Sequence, residues 1–248
     1  MTTILVTGGT GTLGRLVTER LRTDGHEVRV LSRRSRPYAV DLREGTGLDA
    51  AVAGVDTVVH CASTPRGGDE RAARNLIEAA RGAGVAHLVY ISIVGVDRVP
   101  LGYYKSKLAV ERLVEESGIG WTILRTTQFH DLVLSVLEGM AKLPLMPVLS
   151  GVRDQPIEVS EVADRLAELA GEDPAGRVAD MGGPEVLTFT ELARAYLRAT
   201  GKRRVLLPVR LPGKTFRAAR TGGHLTPELA VGKGTFEEYL TARAKTSP

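Results

Sequence analysis

The chain has 248 residues, 43% apolar, 25% charged and 4% aromatic, and its 33 Lys and Arg outnumber its 29 Asp and Glu by 4. That length suits one large domain, or one domain with a smaller appendage, and the apolar share excludes disordered and fibrous architectures. The positive surplus is spread out and forms no basic stripe, so no nucleic-acid partner is expected. A single cysteine, Cys61, excludes an internal disulfide, and no Cys/His cluster has metal-ligand spacing, so no metal is expected and a reducing, cytoplasmic compartment is the simplest reading. The first strand is expected to begin near Thr3, which leaves no room for a signal sequence, and apolar runs fall far short of the roughly 20 residues that cross a bilayer. A soluble protein with no membrane partner is expected.

From the amino terminus, short runs rich in Val, Ile and Leu alternate with helical patterns. Thr3–Thr7, Glu27–Leu31, Tyr38–Leu42, Asp56–Cys61, His87–Ser92 and Trp121–Arg125 read as strands buried on both faces. Leu13–Thr23, Asp69–Gly82 and Tyr103–Ser117 read as intervening helices, with Gly25, Gly84 and Gly118 among the residues that stop them. This cadence predicts an α/β fold with a doubly wound parallel sheet. The second half loses the cadence. It reads as a helix over Phe129–Ala141, a loop around Pro144 and Pro147, a strand over Gln155–Val159 and a helix over Glu161–Ala170. A strand over Arg177–Met181, a helix over Thr190–Thr200, a strand over Arg204–Val209 and helical pieces near Pro212–Arg220 and Thr235–Ala244 follow. The expected domains are a nucleotide-binding domain over residues 1–130, to which 152–170 adds, and a small mixed α/β substrate lobe over 131–151 and 171–248. The lobe is expected to cover the carboxyl edge of the sheet.

The run Thr7-Gly8-Gly9-Thr10-Gly11-Thr12-Leu13-Gly14 holds G-x-G-x-x-G as Gly9, Gly11 and Gly14, and G-x-x-G-x-x-G as Gly8, Gly11 and Gly14. It follows a predicted strand and opens a predicted helix in a βαβ unit, the context of a dinucleotide-binding Rossmann fold. One glycine permits the tight turn, one lets the backbone approach a pyrophosphate, and Gly14 lets helix and strand pack closely. The helix amino terminus then offers free N–H groups to phosphate. Gly8, Thr10, Gly11, Thr12, Leu13 and Gly14 are the expected cofactor contacts. At the end of the second strand an NAD site would carry a carboxylate. This chain has Ser32, Arg33 and Arg34, then Arg36, and no carboxylate before Asp41. Two guanidiniums can fork onto a 2′-phosphate, so NADP(H) is expected over NAD(H). Asp41 and Leu42 would flank the adenine, and Cys61, Ala62 and Ser63 would line the ribose and nicotinamide side, with Cys61 as a packing residue.

The glycine run at 7–14, with Y-x-x-x-K at Tyr103 and Lys107, resembles the short-chain dehydrogenase/reductase superfamily. Asn75–Ala80, Leu88–Ser92, Leu124-Arg125 and Val159–Ala163 extend the likeness, which is greatest to the atypical branch of NmrA-like NAD(P)-binding proteins. The resemblance implies that Tyr103 is the acid–base and that Lys107 binds the nicotinamide ribose and lowers the phenol's pKa. Residues four apart share a helix face, and a nearby ammonium favours phenolate. The alternative is that Tyr103 only lines the pocket. Such reductases carry Ser or Thr just past the fifth strand; here Ile93 aligns with it. Ser92, one residue earlier, is expected on the opposite face, so the triad reads as incomplete, with Ser92 kept as a candidate substrate contact. Thr127, Gln128 and Phe129 are expected to pass over the nicotinamide, Phe129 and His130 to reach substrate, and Arg125 to tie the sheet to the second lobe.

The expected function is an NADP(H)-dependent oxidoreductase acting on a small carbonyl, enone or quinone-like molecule. Leu132, Leu134, Met140, Leu143, Leu145, Met146 and Leu149 favour a hydrophobic one. A non-catalytic NADP(H)-binding sensor is the alternative reading; a nucleotide-sugar epimerase fits less well, given the short carboxyl-terminal lobe. The expected partner is a small-molecule substrate, with the chain a monomer or homodimer.

Overall fold

The computed structural model describes residues 1–64 and 67–246, so residues 247–248 of the expected substrate lobe lie outside the described residues. In chain order the first elements are β1 (Thr3–Thr7), α1 (Thr12–Thr23), β2 (Glu27–Leu31), α2 (Leu48–Val52), β3 (Thr57–His60), α3 (Asp69–Gly82), β4 (His87–Ile93), α4 (Gly102–Glu115) and β5 (Gly120–Thr126). Then come α5 (His130–Met140), β6 (Leu145–Leu149), β7 (Arg153–Asp154), α6 (Val159–Gly171), β8 (Gly176–Arg177) and β9 (Leu187–Thr188). The last are α7 (Phe189–Thr200), β10 (Val205–Val209), α8 (Lys214–Arg220) and α9 (Phe236–Thr246).

The chain divides into two units, each assembled from three segments. The first holds residues 1–92, 102–125 and 160–179, the second 93–101, 126–159 and 180–248. Relative to the expected domains, residues 93–101, 126–130 and 152–159 pass to the second unit, and 171–179 to the first.

The main sheet has six strands in the order β2-β1-β3-β4-β5-β8, and its pairs run parallel, as in β1 with β2 and β3 with β4. Parallel strands end at one edge of the sheet, so the residues that follow β1, β3 and β4 come together there. One face of β4 is fixed by Leu88 and Tyr90, which join a core with Leu76, Ala80, Val110 and Val114 of α3 and α4. In the second unit, β6 and β10 form a parallel pair, β7 and β9 an antiparallel one. Its core joins Leu134, Leu137, Met146, Val148, Leu192, Tyr196, Phe236 and Leu240.

Three expected elements are corrected. Tyr38–Leu42 is not a strand: a single bridge joins Ser32 to Ala39. Ser32 Oγ instead accepts the N–H of Arg34 and Ser35, and Asp41 folds back on the N–H of Arg43, so side chains take over the backbone groups a ladder would need. The segment around Pro147, expected as a loop, is strand β6. Its single partner is β10, so alternate N–H groups have no ladder to join and proline is tolerated. The strand expected over Gln155–Val159 shortens to β7 at Arg153–Asp154 and a bridge at Ile157, and α6 begins at Val159.

Candidate functional site

The glycine turn is built by contacts that exclude side chains. Gly8 has φ 66°, and a Cβ there would meet the Ala62 backbone at 2.8 Å; a Cβ on Gly14 would meet Gly8 O at 2.3 Å. The turn is pinned by Gly8 N–H donating to Leu31 O and Gly11 N–H donating to Gly8 O, each at 2.9 Å. Gly11 caps α1 with no side-chain hydrogen bond, and the first turn of α1 holds no acidic residue. Thr10, Gly11 and Thr12 are exposed, whereas Leu13 and Gly14 are buried. An uncapped, acid-free helix start behind a turn stripped of Cβ atoms fits a dinucleotide's phosphates.

Past β2, Arg33 and Arg34 are exposed, and neither is held in an ion pair among the described residues. Asp41, the first carboxylate after them, is chelated by Arg43, whose Nη2 lies 2.9 Å from its Oδ2. That pairing holds the Asp41 carboxyl down to about 2. Leu42 is buried in the α2–α3 core.

Beyond β3 the buried His60 accepts or donates with Thr7 Oγ1 at 2.7 Å and stacks on Tyr90 at 5.4 Å; burial, then the Lys107 charge, drives it down to about 3, so the imidazole is neutral. Burial pushes the Cys61 thiol up to about 12, which suits a packing residue. Ala62 N–H donates to Thr7 Oγ1, tying the two strand ends together. Ser63 Oγ donates to Asp69 Oδ2 at 2.6 Å and lies 2.8 Å from the Tyr103 hydroxyl.

Tyr103 and Lys107 do share one face of α4, but their partners differ from the expectation. Lys107 is 3% exposed; its Nζ donates to Ile91 O at 2.8 Å and lies 4.5 Å above the Tyr90 ring. Burial lowers Lys107 to about 8. Tyr103 is raised above its ordinary value, not lowered: burial comes first and the Asp69 charge adds to it, while the Ser63 hydrogen bond would oppose them only by giving up the proton that Ser63 donates to Asp69. The expected lowering is absent because burial disfavours the phenolate, and the nearby Asp69 carboxylate disfavours it further.

Ser92 follows the alternation of β4: like Leu88 and Tyr90, and opposite to Ile93, its side chain is on the face that α3 and α4 cover, the face of Lys107. It is 1% exposed and its Oγ has no hydrogen-bond partner.

The profile of the NAD(P)H-binding family matches residues 8–173. The chain belongs to this family. It is 33% identical over 234 residues to a (4-alkanoyl-5-oxo-2,5-dihydrofuran-3-yl)methyl phosphate reductase of Streptomyces griseus, covering 88% of this chain and 79% of the relative. It is 27% identical over 218 residues to quinone oxidoreductase 2 of Escherichia coli, covering 80% and 75%. In fold it matches the Escherichia coli NADPH-dependent quinone oxidoreductase complexed with NADPH, with a TM-score of 0.80 and 22% identity over 97% of this chain and 99% of the other. The resemblance to atypical short-chain dehydrogenase/reductases is therefore borne out, and the chain stands among NAD(P)-dependent oxidoreductases.

The remaining expected residues of this family member, Arg125 excepted, fall in the second unit. Thr127 is buried, donating its N–H to Met181 O, while its Oγ1 accepts from Gly183 N–H. Gln128 and Phe129 are half-buried and pair with Ile157. His130 is 0% exposed, edge-on to Tyr239 at 5.1 Å and Phe236 at 5.6 Å, and 3.9 Å from Glu158. These are the surroundings of a packed core histidine. Arg125, expected to tie the sheet to the second lobe, forks onto Glu111 of α4 at 2.6 and 2.8 Å, both side chains being at most 5% exposed. Of the apolar residues expected at a pocket, Leu134 and Met146 belong to the second core, whereas Leu132, Leu143 and Leu145 are over half exposed. A hollow of about 480 Å³ between α2 and α3, lined by Val52, Ala53, Ala79 and Ala83 among others, contains none of the expected site residues. No helix among the described residues is long and apolar enough to cross a membrane. Asp69 escaped the sequence reading; its signal is its position opening α3, six residues past Ser63.

Proposed function

We propose that this family member is an NADPH-dependent reductase of a small, apolar carbonyl, enone or quinone-like compound. The observation that carries the cofactor choice is the pair of exposed arginines after β2, neither in an ion pair among the described residues, with the nearest following carboxylate, Asp41, already committed to Arg43. A 2′-phosphate would find two exposed guanidiniums there, and a ribose 2′-hydroxyl no free carboxylate. Gly8, Thr10, Gly11, Thr12, Leu13 and Gly14 would hold the pyrophosphate, and Ser32, Arg33 and Arg34 the 2′-phosphate. When bound, the dinucleotide supplies a hydride.

The chain's own residues supply the rest. Tyr103, kept in its protonated form, is the group that can give a proton to substrate oxygen. Lys107, loosened from its Ile91 carbonyl, can turn to a ribose hydroxyl. The buried, unpartnered Ser92 hydroxyl is a ready donor to a substrate oxygen. The names of the two relatives point to an acylated oxo-dihydrofuran and a quinone, both carbonyl compounds, which supports the substrate class. Exposed Leu132, Leu143 and Leu145 suit an apolar one.

The test is a binding and turnover series. NADPH should bind more tightly than NADH, and Arg33→Ala with Arg34→Ala should erase that preference. Enones, quinones and aldehydes should be reduced, with Tyr103→Phe lowering kcat by roughly 10²-fold or more, the usual scale of proton transfer by a positioned group. Equal loss of both cofactors, or turnover intact in Tyr103→Phe, would sink the respective assignment. NADPH binding with no turnover on any of these substrates would favour the sensor.

A further inference from the structure

Ser63, Asp69 and Tyr103 come from three separate places: the end of β3, the start of α3 and the start of α4. Ser63 Oγ is 2.6 Å from Asp69 Oδ2 and 2.8 Å from the Tyr103 hydroxyl. Asp69 is 5% exposed, and its Oδ1 accepts the N–H of Thr64 at 3.0 Å, so the carboxylate cannot swing away from Ser63. A serine hydroxyl carries one proton, and here it is donated to Asp69 Oδ2. The Ser63 proton is therefore committed to Asp69, and the Tyr103 hydroxyl donates to Ser63.

Resting on the reading of Tyr103 as proton donor, we propose that Asp69, acting through Ser63, is a positioning residue that keeps Tyr103 protonated and biases the site toward giving a proton, hence toward reduction. Two physical effects run the same way. A phenolate at Tyr103 would lie two hydrogen bonds from a buried carboxylate, and like charges disfavour each other's ionised forms. Ser63 could steady that phenolate only by turning its proton away from Asp69. The other titratable groups around Tyr103 are Lys107 and Glu111 on α4, Tyr90 on β4 and Cys61 after β3; Lys105 of α4 is exposed. Lys107 opposes Asp69, but its ammonium is held on the Ile91 carbonyl above the Tyr90 ring.

The experiment titrates phenolate by its ultraviolet difference absorbance in the cofactor-free protein, with each variant paired against its Tyr103→Phe counterpart so that the difference isolates Tyr103. Asp69→Asn keeps an acceptor for Thr64 N–H and removes the charge. It should move the Tyr103 titration down by about one pH unit, a tenfold change in ionisation. The alkaline limb of the pH profile for NADPH-dependent reduction should move down with it. Ser63→Ala, a change at an exposed side chain, should also lower the titration, by less, because the phenol loses its acceptor while the Asp69 charge stays. An unmoved titration in folded Asp69→Asn, or a rise in Ser63→Ala, overturns the proposal. A titration that moves while the pH profile of reduction stays fixed removes the bias toward reduction and with it Tyr103 as the donor. Turnover that survives Tyr103→Phe strikes at the donor assignment alone, so the two failures are told apart.

Discussion

Replacing Gly14 with alanine places a methyl group where α1 leaves the glycine turn. On the existing backbone its Cβ would lie 2.3 Å from Gly8 O, 2.8 Å from Gly8 C and 2.9 Å from Gly9 Cα, where 3.0 Å is the closest approach that real Cβ atoms show. The Gly8 carbonyl must therefore retreat by about 3.0 − 2.3 = 0.7 Å. That oxygen also accepts Gly11 N–H at 2.9 Å, and Gly8 has little room to yield because the Ala62 backbone stands against it. Overpacking strain of about 1–3 kcal/mol and a weakened hydrogen bond of about 0.5–1.5 kcal/mol give a loss of roughly 2–4 kcal/mol. The same substitution at Gly139, exposed in α5 with nothing within 4 Å of its built Cβ, should instead stabilise by about 0.5–1 kcal/mol. Urea unfolding of both variants measures the two signs, with an unchanged m-value showing that stability alone has moved. An NADPH titration of Gly14→Ala should show roughly tenfold weaker binding or worse, since the displaced turn carries the phosphate-facing amides. Wild-type stability and affinity in Gly14→Ala would refute the claim that close backbone approach is the reason for this glycine.

Two other outcomes follow from buried charge. Arg125→Met strands the Glu111 carboxylate, 3% exposed at its side chain, and should cost about 3–5 kcal/mol in denaturant unfolding, whereas pairing it with Glu111→Leu should recover most of the loss; equal losses would show that the ion pair is not the issue. Lys107 is held near 8 against an ordinary 10.5, so between those values the unfolded chain binds the extra proton, and this site's contribution to stability rises with pH across that window. Lys107→Met should lack that rise, so its unfolding free energy relative to the natural chain should fall between pH 8 and 10.5; parallel curves would contradict the burial cost.

The nucleotide-binding half is readable because its causes are local. Parallel strands covered on both faces must be continuous apolar runs, and the turn at Gly8–Gly14 needs glycine for reasons confined to a few residues. Where burial and strand formation part company, the reading fails: Val40 and Leu42 enter the core from an irregular segment, and apolar content alone cannot distinguish that from a strand. At β6 the prolines hide a strand whose partner, β10, lies about 60 residues further on. The site shows the same limit. Tyr103 and Lys107 are visible because their spacing is helical, but the hydrogen bond from Tyr103 to Ser63 spans 40 residues and leaves no local trace. The side to which Ser92 points depends on strand register, which one residue reverses.

The alternation of the two units along the chain, in six segments with five crossings, has a consequence for biosynthesis. The sheet's last strand, β8, begins at Gly176, whereas its neighbour β5 ends at Thr126. A ribosome adding about 5–20 residues per second needs roughly 3–10 s to cover that gap. Throughout it, β5 has left the ribosome with one edge unpaired, a template for pairing with other chains. Neither unit can be cut out as one continuous piece of gene, so recombination between relatives has to exchange segments in sets or the chain entire.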